Sequence, residues 1–350
     1  MSQILHLLWS KFSTSLPSTV TIGSDPQTLQ LVHSPAPNVN ANALEIYKIV
    51  DNFLSRCGIR LESTPLDVEF YNECKKTLLS HYIGIHDSDK VSESWFKRYL
   101  SVGVIITTNA YGHLDNKLTK IYIALYTALA TCFDDVFEKN VDHMSGFNER
   151  FMKALPQGDV FLDAFAKVLL DAPKYFGRLA SNIIVTSTLD FITSMSVDVL
   201  TKGMKFNQNL HKFAMACRNM SGIAYTYAPF IFPKEVPFAI YAQCLPDMRI
   251  YINHVNDVLS FYKEDKAGET ENLASILGQV HPSMTKYQIV QGLADDAAEA
   301  DLRVRTVLSQ YQPALDAYNC FRQGYVSFHA SSGRYRLDEL FSFVEPEPIV

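Results

Sequence analysis

Along most of the chain apolar residues return at intervals of three and four, and sustained alternation of apolar and polar positions is scarce. A period near 3.6 is the mark of helices with one face turned to a core, so the pattern predicts an all-α fold. The first such run, Leu44, Ile46, Tyr47, Ile49, Val50, Phe53 and Leu54, opens after the loop HSPAPNVN. The next helix has a marked start: Thr64 as N-cap, Pro65 at the first helical position and Asp67 in the first turn, where a carboxylate meets the positive end of the helix dipole. Further helices are expected over residues 66–82, 92–112, 116–136, 159–170, 174–200, 208–228, 238–264, 285–310 and 312–330, about ten in all. Pro229, Pro233 and Pro237 in APFIFPKEVP cannot sit inside one helix and mark a connection between two long ones.

Helices this apolar around their circumference are buried on several sides, as in a bundle with helices inside as well as around the rim. No repeat of 20 to 50 residues and no linker-like change of composition divides the chain. Residues 41–345 therefore read as a single α-helical domain, preceded by a segment, 1–40, with no clear pattern. The longest apolar stretches, such as 121–133, carry polar interruptions and fall short of the roughly 18 to 20 residues of a membrane span, so no span is expected.

Composition narrows the picture. Of 350 residues, 47% are apolar or aromatic and 19% charged, which excludes intrinsic disorder. A formal charge of −6 argues against nucleic acid as a partner. The start, MSQILHLLWSK, has no basic region ahead of its apolar patch, and Cys57, Cys74, Cys132, Cys217, Cys244 and Cys320 form no CxxC pair. Both features suit a cytoplasmic protein with free, mostly buried thiols.

Two constellations carry chemistry. In ALYTALATCFDDVFEKN, Asp134 and Glu138 stand four residues apart on one helix face, with Asp135 rotated by about 100°. Two carboxylates so placed can hold a hard divalent cation, and carboxylates ending a long apolar helix are costly unless they bind something. In NDVLSFYKE, Asn256, Ser260 and Glu264 follow an i, i+4, i+8 spacing within about 80° of arc, each supplying an oxygen, and Lys263 lies on nearly the same face. Asp257 points elsewhere and reads as a bystander. Asp295, Asp296 and Glu299 in DDAAE repeat the acidic pattern within an Ala-rich, charged stretch that reads as an exposed face.

TCFDDVFE followed far downstream by NDVLSFYKE resembles the acidic and NSE motifs of class I terpene synthases. The tail CFRQGYVSFHASSGRYRL resembles that of the fungal trichodiene synthase family, with its GYV segment and Arg-Tyr pair, and the likeness runs from about residue 65 to 340. It implies a single-domain class I terpenoid synthase helical bundle around an apolar active-site cavity. It also implies Mg²⁺-dependent ionisation and cyclisation of farnesyl diphosphate to a cyclic C15 hydrocarbon or alcohol, with three Mg²⁺ ions. By the same resemblance Asp134, Asn256, Ser260 and Glu264 match metal ligands, with Glu138 in place of the family's Asp. Arg218, Lys263, Arg334 and Tyr335 match groups that bind diphosphate, Arg218 as its sensor with Arg178 as runner-up, and homodimerisation is implied as well. Where the family has an acid and a further arginine before the Arg-Tyr pair, this chain has Ser331, Ser332 and Gly333.

The chemistry so implied asks for an apolar cavity with aromatic faces, whose quadrupoles favour a carbocation. Candidates for its lining are Phe133, Phe191, Tyr225, Tyr227, Tyr325 and Phe328, with Tyr325 and Phe133 taken as substrate-binding. Two rival readings stand beside this one: a chain-elongating prenyl diphosphate synthase, with Asp295, Asp296 and Glu299 as its second acidic motif, and a non-catalytic all-α protein that binds an apolar ligand.

Overall fold

The computed structural model describes residues 33–35, 41–84, 87, 91–205, 207, 210–342 and 344–346. Most of segment 1–40, including the apolar patch at its start, lies outside them. Helix α1 (Ala41–Cys57) is followed by α2 (Val68–Thr77), which runs on as a π-helical turn, Leu78–Ile83. The start of α2 lies later than expected. Asp67, not Thr64, is the N-cap, its carboxylate accepting from the Phe70 N–H, while the Thr64 hydroxyl bonds Asn109 instead. Helix α3 (Ser101–Ala110) is entered without a break through Glu93–Trp95 and a π turn, Phe96–Leu100. Helix α4 (Lys117–Phe137), capped by Asn116, is buried almost all round.

Two short helical turns lead to α5 (Val160–Tyr175) and α6 (Arg178–Thr201). Residues expected to form one helix over 208–228 form two: α7 (His211–Ser221) and α8 (Ala224–Phe230), broken where Ile223 takes a left-handed conformation at φ 51°. Such a backbone is costly for a β-branched residue and marks a constrained site. The second proline-flanked helix also begins later than expected, as α9 (Leu245–Ala267), after a separate turn at Phe238–Tyr241 and a tight one at Ala242–Cys244. Helix α10 (Leu273–Val280) was not anticipated. It is followed by α11 (Lys286–Leu308), which starts with a Thr285/Gln288 capping box, then α12 (Gln312–Ser331) and the short α13 (Leu337–Ser342). A three-residue antiparallel pairing of β1 (His33–Pro35) with β2 (Val344–Pro346) is the only sheet among the described residues.

One continuous apolar cluster extends from α1 to α13. Its geometry depends on two glycines. A Cβ at Gly103 would lie 2.1 Å from the Ala124 carbonyl oxygen, and one at Gly324 would lie 2.0 Å from that of Asn109, so α3 packs backbone to backbone against α4 and α12. Helix α6 is long and apolar enough, by composition, to cross a membrane, contrary to the reading above. In the fold it is a bundle helix that buries Ile184, Thr188, Phe191, Ile192 and Met195. Four of the six cysteines are buried and free as expected; Cys217 is partly buried and Cys320 exposed.

Candidate active site

A cavity of about 920 Å³, its open mouth included, lies between α3, α4, α6, α9 and α12, with the α7–α8 break in its wall. On α4 it is lined by Thr127, Ala130, Thr131 and Asp134, a succession of three- and four-residue steps that puts one helix face into it. Val102, Ile106, Phe191, Ile252, Tyr227, Tyr325 and Phe328 make the walls apolar and aromatic. Four of the six aromatic candidates therefore line it. Tyr225 does not, and packs under Arg249 at 5.0 Å. Phe133 does not either: one residue back from Asp134 it faces the other side of α4, in a core cluster with Phe137, Phe147 and Phe165. The expectation that it binds substrate is corrected by that rotation of about 100°.

At the mouth, polar groups converge from four elements. Asp134 is 3% exposed and its Oδ2 has no hydrogen-bond partner, so burial raises its pKa well above the usual carboxylate range while Arg334 pulls the other way. Its neighbour Asp135 turns away to the Tyr99 hydroxyl, 2.6 Å, and to Arg98. Glu138, in the C-cap position of α4, opens onto a neighbouring groove with Asp198 and lies 3.5 Å from Lys202 Nζ. The structure does not bring it into the cavity of Asp134.

Across the cavity, α9 presents Asn256 and Lys263. Ser260 and Glu264 lie one and two turns beyond Asn256, both buried, and Glu264 Oε1 lacks a hydrogen-bond partner, its nearest cation being Lys263 Nζ at 3.6 Å. Burial pushes the Lys263 amine down to about 8, against the pull of Glu264. The 3₁₀ turn Gly333–Tyr335 after α12 brings in Arg334, whose buried Nε and Nη2 are also unpartnered, and Tyr335. Arg178, the alternative sensor, is exposed at the start of α6 and is no part of the cavity wall.

Arg218, near the end of α7, is held from behind. Its Nε donates to Asp257 Oδ1 and Oδ2 at 2.8 and 3.1 Å, and its Nη2 to the Asn253 carbonyl at 3.0 Å and to Asn256 Oδ1 at 3.1 Å. Asp257, read from sequence as a bystander, is thus the buried anchor of this guanidinium; burial raises its carboxyl to about 6 with Arg218 opposing. The signal was present: a carboxylate framed by apolar residues in a buried helix needs a cation. Gly222 completes the arrangement, because a Cβ there would fall 2.0 Å from Asn253 Oδ1 and 2.6 Å from Arg218 Nη1. Asp295, Asp296 and Glu299 lie away from the cavity on α11, where Asp295 pairs with Arg56 and Glu299 with Arg303.

The chain has relatives among known proteins. The family model described as Trichodiene synthase (TRI5) matches residues 90–347. The chain belongs to the trichodiene synthase family. Over 300 residues it is 32% identical to alpha-cuprenene synthase COP6 of Coprinopsis cinerea, covering 86% of this chain and 91% of that one. It is 32% identical over 278 residues to longiborneol synthase CLM1 of Gibberella zeae, covering 73% and 81%. Its fold resembles that of linalool/nerolidol synthase from Streptomyces clavuligerus, with a TM-score of 0.58 and 16% identity over 77% of this chain and 98% of that one. This member of the family is a terpene synthase with an all-α fold, and an enzyme acting on a prenyl diphosphate.

The donor set fits Mg²⁺. Among the described residues no three His, Cys, Asp or Glu side chains gather as a metal cage. Unpartnered carboxylate oxygens stand instead on two facing helices, an arrangement suited to a hard cation that takes one or two carboxylates and completes its shell with phosphate oxygens and water.

Proposed function

We propose that the protein ionises farnesyl diphosphate and cyclises it to a C15 terpene hydrocarbon or alcohol, releasing diphosphate. The observation that carries this reading is the polarity of a single cavity: aromatic and apolar along its walls, and lined at its mouth by Asp134, Asn256, Arg218, Lys263 and Arg334. An allylic diphosphate has the matching shape, an anionic head on an apolar tail.

Asp134 on one wall, and Asn256 on the other with Ser260 and Glu264 on the next two turns of the same helix, would hold Mg²⁺, three ions in all. Bound Mg²⁺ supplies charge neutralisation to the departing diphosphate. Arg218, locked by Asp257, and Arg334, with two unpartnered nitrogens, donate to diphosphate oxygens as charge grows on them. Lys263 adds a third cation, and Tyr335, whose ring centroid lies 5.9 Å from its ammonium, a hydroxyl. No protein nucleophile is required. Tyr325, with its hydroxyl tied to the Ile252 carbonyl at 3.2 Å, turns its ring to the cavity, as do Phe328 and Phe191. These faces stabilise positive charge and keep water from the cation while the chain folds.

The test is incubation of the purified protein with farnesyl diphosphate, with and without Mg²⁺, and gas chromatography with mass spectrometry of the organic extract. Mg²⁺-dependent cyclic C15 products are expected. A longer prenyl diphosphate, formed when isopentenyl diphosphate is added, would replace this reading with chain elongation. Neither product nor released diphosphate with any prenyl diphosphate would leave a binding protein.

A further inference from the structure

His329 has no task in the reading above, yet it is fully buried on α12 directly behind the proposed metal ligand Asn256. Its Nδ1 lies 2.7 Å from the Tyr325 carbonyl oxygen, one turn back. A carbonyl only accepts, so Nδ1 carries the proton and donates, and Nε2 is left as a bare acceptor. That acceptor sits 3.3 Å from Asn256 Nδ2. The ring itself cannot turn freely, with Tyr335 at 4.4 Å and Tyr325 at 4.8 Å between centroids.

The terminal torsion of an asparagine is broad and roughly two-fold, so its oxygen and nitrogen exchange places at little intrinsic cost. Which one faces the cavity is decided by the partners. Here Asn256 Nδ2 donates to His329, while Oδ1 accepts from Arg218 Nη2. Turned the other way, the amide would offer N–H donors to a cation, and the hard oxygen ligand would be lost.

We propose that His329 is a positioning residue that fixes the Asn256 amide so that its oxygen, and not its nitrogen, is presented to the metal. This rests on the reading of Asn256 as a ligand. Partners that orient a metal ligand are typically worth 10- to 100-fold in metal affinity.

The test uses the full chain and two readouts against Mg²⁺ concentration: the thermal shift produced by inorganic diphosphate, and diphosphate release from farnesyl diphosphate. His329→Leu is expected to raise the half-saturating Mg²⁺ by roughly 10- to 100-fold in both, with kcat at saturating Mg²⁺ changed only a few-fold. His329→Gln, whose Oε1 can take the place of Nε2, should restore most of that loss. If the leucine variant does not fold, His329→Phe, which keeps a ring against Tyr335, gives the same readout. The proposal is overturned if Mg²⁺ dependence is untouched in the leucine or phenylalanine variant while Asn256→Ala raises it, or if the glutamine variant is as impaired as leucine. Should Asn256→Ala itself leave the Mg²⁺ dependence unchanged, Asn256 is no ligand, and both this inference and the metal assignment fall.

Discussion

Two buried charge clusters on α12 and its neighbours make an instructive pair. Lower on the helix, Arg322 donates to Asp301 through Nε at 2.6 Å and Nη2 at 2.9 Å and also reaches the Cys57 carbonyl, while Arg305 adds a bond at 3.0 Å to the same carboxylate. Asp301 is fully buried, and both of its oxygens have partners. At the mouth, Asp134 Oδ2, Glu264 Oε1 and two nitrogens of Arg334 are buried with no hydrogen-bond partner. A buried polar atom without a partner costs roughly 1–3 kcal/mol, more when charged. The lower cluster therefore tethers α1, α11 and α12, whereas the upper one carries a standing cost that Mg²⁺ and diphosphate would relieve.

The largest expected effect is on catalysis at the mouth. Asp134→Asn, Asn256→Ala and Glu264→Ala should each lower turnover at saturating Mg²⁺ and substrate by at least about 10²–10³-fold, the scale of losing one preorganised electrostatic group. Wild-type rates in the latter two would remove the second metal site. Asp301→Asn should do the reverse: denaturant unfolding should show a loss of about 3–5 kcal/mol, since two arginines lose their buried partner, while folded protein keeps its Mg²⁺ dependence. A variant as active and as stable as the wild type would erase the contrast.

A smaller effect concerns Glu269, whose pKa burial raises to about 7 despite Lys263. A carboxyl that binds its proton more tightly folded than unfolded loses stability as pH rises from about 4.5 through 7. In the metal-free protein Glu269→Gln should gain about 1 kcal/mol at pH 8, after discounting for solvent screening, and little at pH 4.5; denaturant midpoints at the two pH values decide it. The smallest effect is expected at Asp295, whose pair with Arg56 lies at the surface: Asp295→Ala should leave activity unchanged and stability within about 0.5 kcal/mol.

What the chain revealed before its fold followed from local periodicity. The helices α4, α11 and α12 lay close to where apolar spacing and caps put them, and Asn256, Ser260 and Glu264 share a face because that is fixed within one helix. The misses came from contacts between helices. Asp257 has its meaning only through Arg218, 39 residues earlier, and His329 only through Asn256, 73 residues away. The break at Ile223 reads as helix by propensity, with only Gly222 hinting otherwise; that Asn253 and Arg218 leave no room for a Cβ at Gly222 is visible only in the fold. Phe133 and Asp134 are neighbours in the chain, yet one enters the core and the other the cavity; apolar character alone could not tell which side of a wholly buried helix was which.

The central claim is that the buried polar atoms left without hydrogen-bond partners around the mouth are held for Mg²⁺ and diphosphate. Thermal unfolding of the wild type and of Asp134→Asn, each with and without Mg²⁺ plus inorganic diphosphate, tests it most directly. The wild type should gain several degrees with both ligands present, since binding to the folded state alone stabilises it. The variant should start at or above the wild-type midpoint and gain little. A variant that unfolds well below the wild type when free of ligand, or that gains as much on adding Mg²⁺ and diphosphate, would contradict the account.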